Sequence, residues 1–558
     1  MTATFIPDWT EKAPKEGSFR SIFKYGAPNK FKHPSHGWYK MLKDDFALTD
    51  ADFTTKHAEG LEQVSLEKLK HPQTLPSLYP TQITTLKTIV GEDNIALDDY
   101  SRVKYAYGKT AEEMMELRIA IVREVPDAVV HPRNKLEVQK IVEYCNQEKI
   151  PLYLFGGGSS VTLGCRPGPR RGITLVMATH MNKLLSINET NQTATVQAGM
   201  LGSAYEECLN KRNYSGGHFP QSFECATVGG WVVTLGSGQA STYYGDAYDL
   251  VLSQEYVTPV GTFRTLDYPA TATGPKVNDI MKGSEGTYGV LVEVTMKIFR
   301  SSPANHRRFS FMFPSWEAAV DSSREVMQAG IGRPAIFRIS DPEETDRGLK
   351  LYGIPSFLDK FMQWKGLLPM KRCLCLGSAE GEADFNQLLK SKIKKIARQH
   401  GALYLSEYPT KKWEKTRYQE PYMREDLGDY GIVIDTLEAA VTWDNLHKLH
   451  QGVRTFIKSR ARTMCMTHAS HFYPQGTNLY FIFITPMSDP EEYRKFQRGI
   501  IESIHQHGGS LSHHHGIGRM LAPWSEKHLG KEQMAILRTL KQHFDPNNIM
   551  NPGVFYEL

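Results

Sequence analysis

The stretch best equipped for chemistry is Gly508-Gly509-Ser510-Leu511-Ser512-His513-His514-His515-Gly516-Ile517-Gly518, where three imidazoles are consecutive. With His505 and His507, five histidines fall within eleven positions. Imidazole titrates close to neutrality, so such a cluster suits proton transfer; metal binding and plain packing are its other uses. An extended backbone would place His513 and His515 on one face and His514 on the other. No acidic residue interrupts the run, and no metal is expected.

The second chemical signal is glycine. Gly156-Gly157-Gly158-Ser159-Ser160 is followed by Val161, where a dinucleotide fingerprint starting at Gly156 would need its third glycine. Consecutive glycines either let backbone N–H groups converge on an anion or serve a turn with positive φ. Two further segments carry small residues where a flat ligand or diphosphate would press on backbone. In FPQSFECATVGGWVVTLGSG (219–238) they are Pro220, Ser222, Ala226, Thr227, Gly229, Gly230, Thr234, Gly236 and Ser237. In GSEGTYGV (283–290) the corresponding positions are Glu285, Gly286, Gly289 and Val290. Gly108-Lys109-Thr110 ends like a Walker loop, but the required earlier glycine is Val103.

These loops need elements to hold them. DAVVH reads as a strand from residue 127, and Asn134 caps a helix with Glu137 at the capping-box position. Val138, Ile141, Val142 and Cys145 make one helical face. Pro151 ends the helix, and LYLF forms a strand running into the triple glycine: a βαβ unit with an anion cradle at its end. TATVQAG (193–199) and VLVEVTMKIF (290–299) alternate as further strands. Residues before about 125 read as an ordered helical arm from which no chemistry can be extracted.

Composition narrows the class. The chain is 40% hydrophobic and 23% charged, enough to fill a large core. Sixty-six basic against 61 acidic residues give a net charge of +5, too mild and too scattered for nucleic acid but suited to an anionic substrate or membrane surface. Seven cysteines form no CxxC pair and read as buried thiols. No apolar run reaches the roughly 18–20 residues of a membrane span. The start, MTATFIPDWTEKAPKEGS, lacks a signal pattern, and VFYEL is no peroxisomal address, so a cytoplasmic location is expected.

Taken in order, LYLFGGGSSVTLG and the segments at 219–238 and 283–290 resemble the FAD domain of the vanillyl-alcohol-oxidase (PCMH-type) flavoprotein superfamily. The resemblance implies that the first loop holds the diphosphate and the other two line the flavin and adenine. The first loop lacks the His through which some members attach FAD, so noncovalent FAD is implied. The histidine triplet resembles that of the alkyldihydroxyacetonephosphate synthase branch, which forms the ether bond of ether lipids. IGRPAIFRISD, MREDLGDYGIVIDTLEAAVTWD and NLYFIF resemble motifs of the same branch, and by that likeness mark Arg338, Arg424 and Tyr480 as site residues beside His513, His514 and His515.

The resemblance implies exchange of the acyl group of acyl-dihydroxyacetone phosphate for a long-chain fatty alcohol, through a flavin N5 adduct and without net redox change. An FAD-dependent 2-hydroxyacid dehydrogenase of the same fold is the alternative. The branch's CRVTQTY-like segment is MTHASHFY here, with His468 and His471 at Arg and Gln positions, and Leu235 stands where polar residues are usual. The fold expected is α+β: an N-terminal helical arm (1–125), a PCMH-type FAD-binding domain (126–303), an antiparallel-sheet cap (304–505) and a C-terminal helical segment with the triplet (506–558). Peripheral contact with a membrane is expected, and a homodimer is left open.

Overall fold

The computed structural model describes residues 8–66 and 78–555; residues 1–7 and 556–558, on which the readings of the chain ends partly rest, lie outside that range. The unit around the triple glycine is present. Asn134 accepts from the Glu137 amide at 3.1 Å and opens the helix Lys135–Glu148, whose buried face includes Val138, Ile141, Val142 and Cys145. Glu137 reaches back to the amide of Arg133 at 2.8 Å rather than to that of Asn134, so the reciprocal half of the box sits one residue early.

Strands Ala128–Val130 and Leu152–Phe155 are not neighbours. Ile173–Val176 lies between them, parallel to both and buried throughout, which is why it shows no alternation in sequence. A second, antiparallel sheet runs in the order Leu184–Asn188, Thr193–Gln197, Val290–Lys297, Val251–Thr258, Gly261–Arg264. The chain end returns to this half of the molecule: the Leu152 amide donates to Ile549 O at 2.7 Å.

The second half is built on seven antiparallel strands, ordered Leu403–Ser406, Arg307–Phe313, Cys373–Ala379, Ile336–Ser340, Met464–Tyr473, Gly476–Pro486, Ile432–Thr442. Leu479, Phe481 and Phe483 are fully buried in a core shared with apolar residues of helices Trp316–Gln328, Ala383–Gln399, Leu446–Ser459 and Pro490–Gln506. Strand alternation then leaves Tyr480 on the opposite face. The histidine triplet is not on a helix; it occupies the loop between Pro490–Gln506 and the short helix Gly518–Leu521.

The N-terminal arm is pinned across both halves by ion pairs: Arg20–Asp429, Lys24–Glu425, Lys30–Glu224, Lys32–Glu420 and His33–Asp426. The Walker-like stretch is a helix start. Thr110 accepts from the Glu113 amide at 3.1 Å and caps Ala111–Arg118. Just before it, the Lys109 amide donates to Ser160 O at 2.7 Å, tying the arm to the triple-glycine loop. All seven cysteines are free; Cys145, Cys373, Cys375 and Cys465 are buried, whereas Cys165, Cys208 and Cys225 are only half-buried.

Candidate active site

The first two glycine segments meet at one cleft of about 510 Å³, lined by Gly156, Gly157, Ala178, Leu201, Glu224 and Cys225. Side chains are excluded there by contact. A Cβ on Gly157 would stand 1.7 Å from Cys225 O, and one on Gly156 would stand 2.5 Å from Thr227 Oγ1. Gly158 and Gly286 have positive φ, and a Cβ on Gly229 or Gly289 would meet backbone oxygen at 2.7 or 2.6 Å. Thr227 caps the helix Val228–Val233 by accepting from the Gly230 amide at 3.1 Å, and Thr234 Oγ1 donates to Gly230 O at 2.8 Å. Pro220 and Ser222 carbonyls accept from Phe223 and Ala226 amides in the preceding turn. Leu235 fills the space over Gly283, joining the second and third segments.

This set fits a dinucleotide: bare backbone where a phosphate must approach, and small residues where a planar ring must lie. His218, 2% exposed, lies beside Gly236 with no hydrogen-bond partner on either ring nitrogen, as a group awaiting a ligand would be. Not every marked residue faces the cleft. Ser160 Oγ turns inward to accept from the Thr162 and Gly164 amides. Ser159, Val161 and Val290 add backbone and packing, with Val290 opening the strand Val290–Lys297.

The arm, whose sequence yields no chemistry, reaches the same cleft: Gly26, Ala27 and Lys30 line it with the glycines. Tyr25 and Lys109 line a second, mainly apolar pocket of about 40 Å³ with Met114, Met115, Ile434 and Arg424. No motif signals this, because the arm acquires its role through contacts made across some 400 residues of chain.

Sheet register assembles the reacting side chains. Tyr480 pairs with Glu438 on one neighbouring strand and with His468 on the other. The His468 ring stacks on Tyr480 at 5.0 Å. Tyr480 Oη donates to Thr436 Oγ1 at 3.1 Å and lies 3.5 Å from His515 Nε2. Burial pushes the phenol up to about 12. His514 and His515 approach the same ring at 6.1 and 5.6 Å. Burial holds both imidazoles below their ordinary range, His514 far below, with repulsion from His515, His471 and His513 adding to it.

The loop carrying the triplet is not extended, so the expected alternation fails. Glu438 curls it: its carboxylate accepts from Ser512 Oγ (2.9 Å) and from the amides of His513, His514 and His515 (2.8, 3.1 and 3.2 Å). Beyond the triplet, Glu285 accepts from the Ile517 amide at 2.6 Å and the Gly518 amide at 2.8 Å. Burial raises Glu285 to about 7, against the pull of those two amides. Glu285 therefore grips the histidine loop from the cofactor half. Glu438 was not singled out in the sequence; its acidic type in LEAAVTWD was the one available signal.

Arg338 is committed elsewhere in the site. It pairs with Glu344 and donates to His468 Nδ1 at 3.1 Å. Burial would raise Glu344, yet the Arg338 charge and His468 hold it down at about 2. Arg424 donates to Asp435 at 3.4 Å and lines the small pocket. Among the described residues Glu438, His514 and His515 have ligand atoms close enough to share a cation. Four donors already converge on that carboxylate, which is the environment of an anchored anion.

A cofactor half made of bare backbone loops and an antiparallel cap half that turns Tyr480 and the histidines toward it define an FAD-linked oxidoreductase fold. Residues 126–267 match the FAD binding domain family, and residues 302–555 match the C-terminal domain of FAD linked oxidases. Alkyldihydroxyacetonephosphate synthase of Dictyostelium discoideum is 30% identical over 495 residues, covering 86% of this chain and 81% of the relative. A solved alkyldihydroxyacetonephosphate synthase superposes with a TM-score of 0.81 at 26% identity, covering 95% of this chain and 98% of that one. The fold extends to p-cresol methylhydroxylase, with a TM-score of 0.64 at 16% identity over 87% of this chain and 99% of that one. The chain belongs to the alkyldihydroxyacetonephosphate synthase family, and it is an enzyme whose cofactor is FAD.

Proposed function

We propose that the enzyme exchanges the acyl group of acyl-dihydroxyacetone phosphate for a long-chain fatty alcohol, giving alkyl-dihydroxyacetone phosphate. The observation that carries this reading is the convergence of Tyr480, His514 and His515, with Arg424 at a small, mainly apolar pocket. Bound FAD supplies an electrophilic ring able to hold and return an electron pair. The chain's residues handle binding and protons. Arg424 suits a phosphate or carboxylate, which its planar fork binds bidentately. Tyr480, kept protonated, donates to the ketone or enediol oxygen. His514, kept neutral, takes the proton from the carbon bearing the ester. The C–O bond to the acyl group breaks with loss of a carboxylate, a C–O bond to the alcohol forms, and no electrons leave the enzyme.

FAD is held noncovalently in this reading. The first loop has no His or Cys, and burial pushes the nearby Cys165 thiol up to about 12, away from a nucleophilic thiolate. The enzyme works in the cytoplasm against a membrane surface. Helix Ser356–Trp364 supports this, exposing Phe357 (68%) and Trp364 (75%) beside Lys360 and Lys365. Among the described residues no helix is long and apolar enough to cross a membrane.

The test is incubation of the holoenzyme with palmitoyl-dihydroxyacetone phosphate and labelled hexadecanol, without an electron acceptor. Labelled ether lipid is expected. Flavin that bleaches with a 2-hydroxyacid and recovers only with dioxygen or a dye would replace the exchange with a dehydrogenase. Acid precipitation should leave yellow flavin in the supernatant; flavin in the pellet would contradict noncovalent binding.

A further inference from the structure

A row of hydrogen bonds leaves the histidine triplet for the edge of the cofactor half. Asp246 is half-buried, next to exposed Tyr248 and Asp249. Tyr473 Oη donates to Asp246 Oδ2 at 2.6 Å and lies 2.7 Å from His513 Nε2. His513 Nδ1 is 3.0 Å from His514 Nδ1. None of these contacts is local in sequence except the last; Tyr473 closes the MTHASHFY segment, and Asp246 belongs to no motif singled out above.

The chemistry of the groups sets the direction of each bond. A carboxylate only accepts, so the single Tyr473 proton goes to Asp246. The phenol oxygen must then accept from His513, which places that ring's proton on Nε2. Neutral His513 accepts at Nδ1, so His514 donates from its own Nδ1. The Nε2 lone pair of His514 is left free. A second branch starts from the same carboxylate. Ser237 Oγ donates to Asp246 and lies 2.8 Å from His471 Nδ1, which Ser241 Oγ also approaches at 2.7 Å.

We propose that Asp246, Tyr473 and His513 are a proton relay that fixes His514 Nε2 as the acceptor and carries its proton to Asp246 at the edge of the cofactor half. The relay rests on the acyl–alkyl exchange reading for the source of the proton, not for its geometry. When His514 Nε2 takes a proton from the substrate carbon, its Nδ1 proton passes to His513 Nδ1. The His513 Nε2 proton passes to Tyr473 Oη, and the phenolic proton passes to the Asp246 carboxylate. One proton moves from carbon to Asp246, each intermediate group ends neutral, and no electron is transferred. The reverse sequence returns the proton, or Asp246 releases it to solvent.

The other titratable groups facing the row are His218, His468, His471 and His515, with Glu438 on the loop backbone and Asp249 beside Asp246. Burial and the Asp246 charge raise the Tyr473 phenol, so it enters the row as a donor, and mutual repulsion keeps His471 and His514 neutral. Asp246 and Tyr473 are positioning residues that act through the histidines.

The experiment uses oxidised holoenzyme labelled with 15N-histidine, with resonances assigned by His513→Asn and His514→Asn. Wild type should show His513 protonated at Nε2 and His514 at Nδ1. Asp246→Asn, whose amide can donate where the carboxylate could not, should change the tautomer of both rings. Tyr473→Phe, which keeps the ring, should free the His513 tautomer. Both variants should keep their FAD and lose turnover about 10²-fold or more, with KM nearly unchanged and a shifted pH profile. Formate should restore part of the activity of Asp246→Ala. Tautomers indifferent to both substitutions, or wild-type turnover and pH profile in both, would overturn the relay. The tautomer readout needs no substrate: wild type showing the expected tautomers but making no ether lipid would sink the exchange reading and leave the relay standing.

Discussion

The cofactor half and the cap half solve the problem of site building in opposite ways. Around the glycine loops almost every contact is backbone, and the residues matter because they lack side chains; Gly156, Gly157 and Gly229 each sit where a Cβ would collide. In the second half the candidate site groups are side chains drawn from positions 338 to 515, joined by Asp246 of the cofactor half, and two carboxylates hold the histidine loop in place. The first kind of site is written in contiguous sequence and tolerates nothing larger. The second depends on strand register and on charged anchors that no short motif contains.

Filling the cofactor half should have the largest effect. Gly157→Ala puts a methyl 1.7 Å from Cys225 O, against backbone that cannot swing away. Overpacking of this kind typically costs about 1–3 kcal/mol or more. The variant should purify without FAD, read as loss of flavin absorbance relative to protein, and full flavin content would show that the loop is looser than described.

In the cap the same logic predicts loss of rate with cofactor retained. Tyr480→Phe and His514→Ala should each lower turnover roughly 10²–10⁴-fold at normal flavin content. Loss of flavin in either would blur the contrast between the halves. Arg424→Lys should be nearly as damaging as Arg424→Ala, because a point charge cannot replace a fork; about 2–5 kcal/mol, or roughly 30–5,000-fold, is at stake. Turnover close to wild type in the Lys variant would reduce Arg424 to a partner of Asp435.

The anchors should show smaller effects. Glu438→Gln keeps the shape but removes the charge that four donors share. Hydrogen bonds to charged groups contribute about 1.5–3 kcal/mol, so a turnover loss of roughly 10–100-fold is expected with FAD in place. The smallest effect is on stability. Glu285 is raised to about 7, so between its unfolded value and pH 7 only the folded chain holds the proton. Its contribution to stability therefore falls as pH rises towards 7 and is flat above. Glu285→Gln removes that slope, and melting curves from pH 5 to 8 should show the wild type losing ground to the variant. Parallel pH profiles would mean that Glu285 ionises as freely folded as unfolded.

The cofactor half was largely legible in sequence: the strand, the capped helix with its Val138 and Ile141 face, and the three glycine segments are local patterns. What local patterns could not show is the inserted strand Ile173–Val176, whose burial on both faces erases alternation. In the second half, residue type and spacing marked the histidine triplet, whereas Tyr480 was marked by the likeness of NLYFIF to a family motif. The neighbours that tune them, Glu438 and His468, come from strand pairing, and Asp246 comes from the other half altogether. The alternation expected for the triplet failed because a carboxylate 75 residues earlier in the chain bends its backbone.

The arm that roofs the FAD cleft also sets a timetable. Arg20, Tyr25, Lys32 and His33 bond to residues 388 to 409 positions later in the chain. At roughly 5–20 residues per second of synthesis, the arm waits about 20–80 s after it is made for its partners to follow. The glycine loops are complete well before then, so FAD can enter a cleft that is still open on one side. The cap, made last, draws the arm down over it.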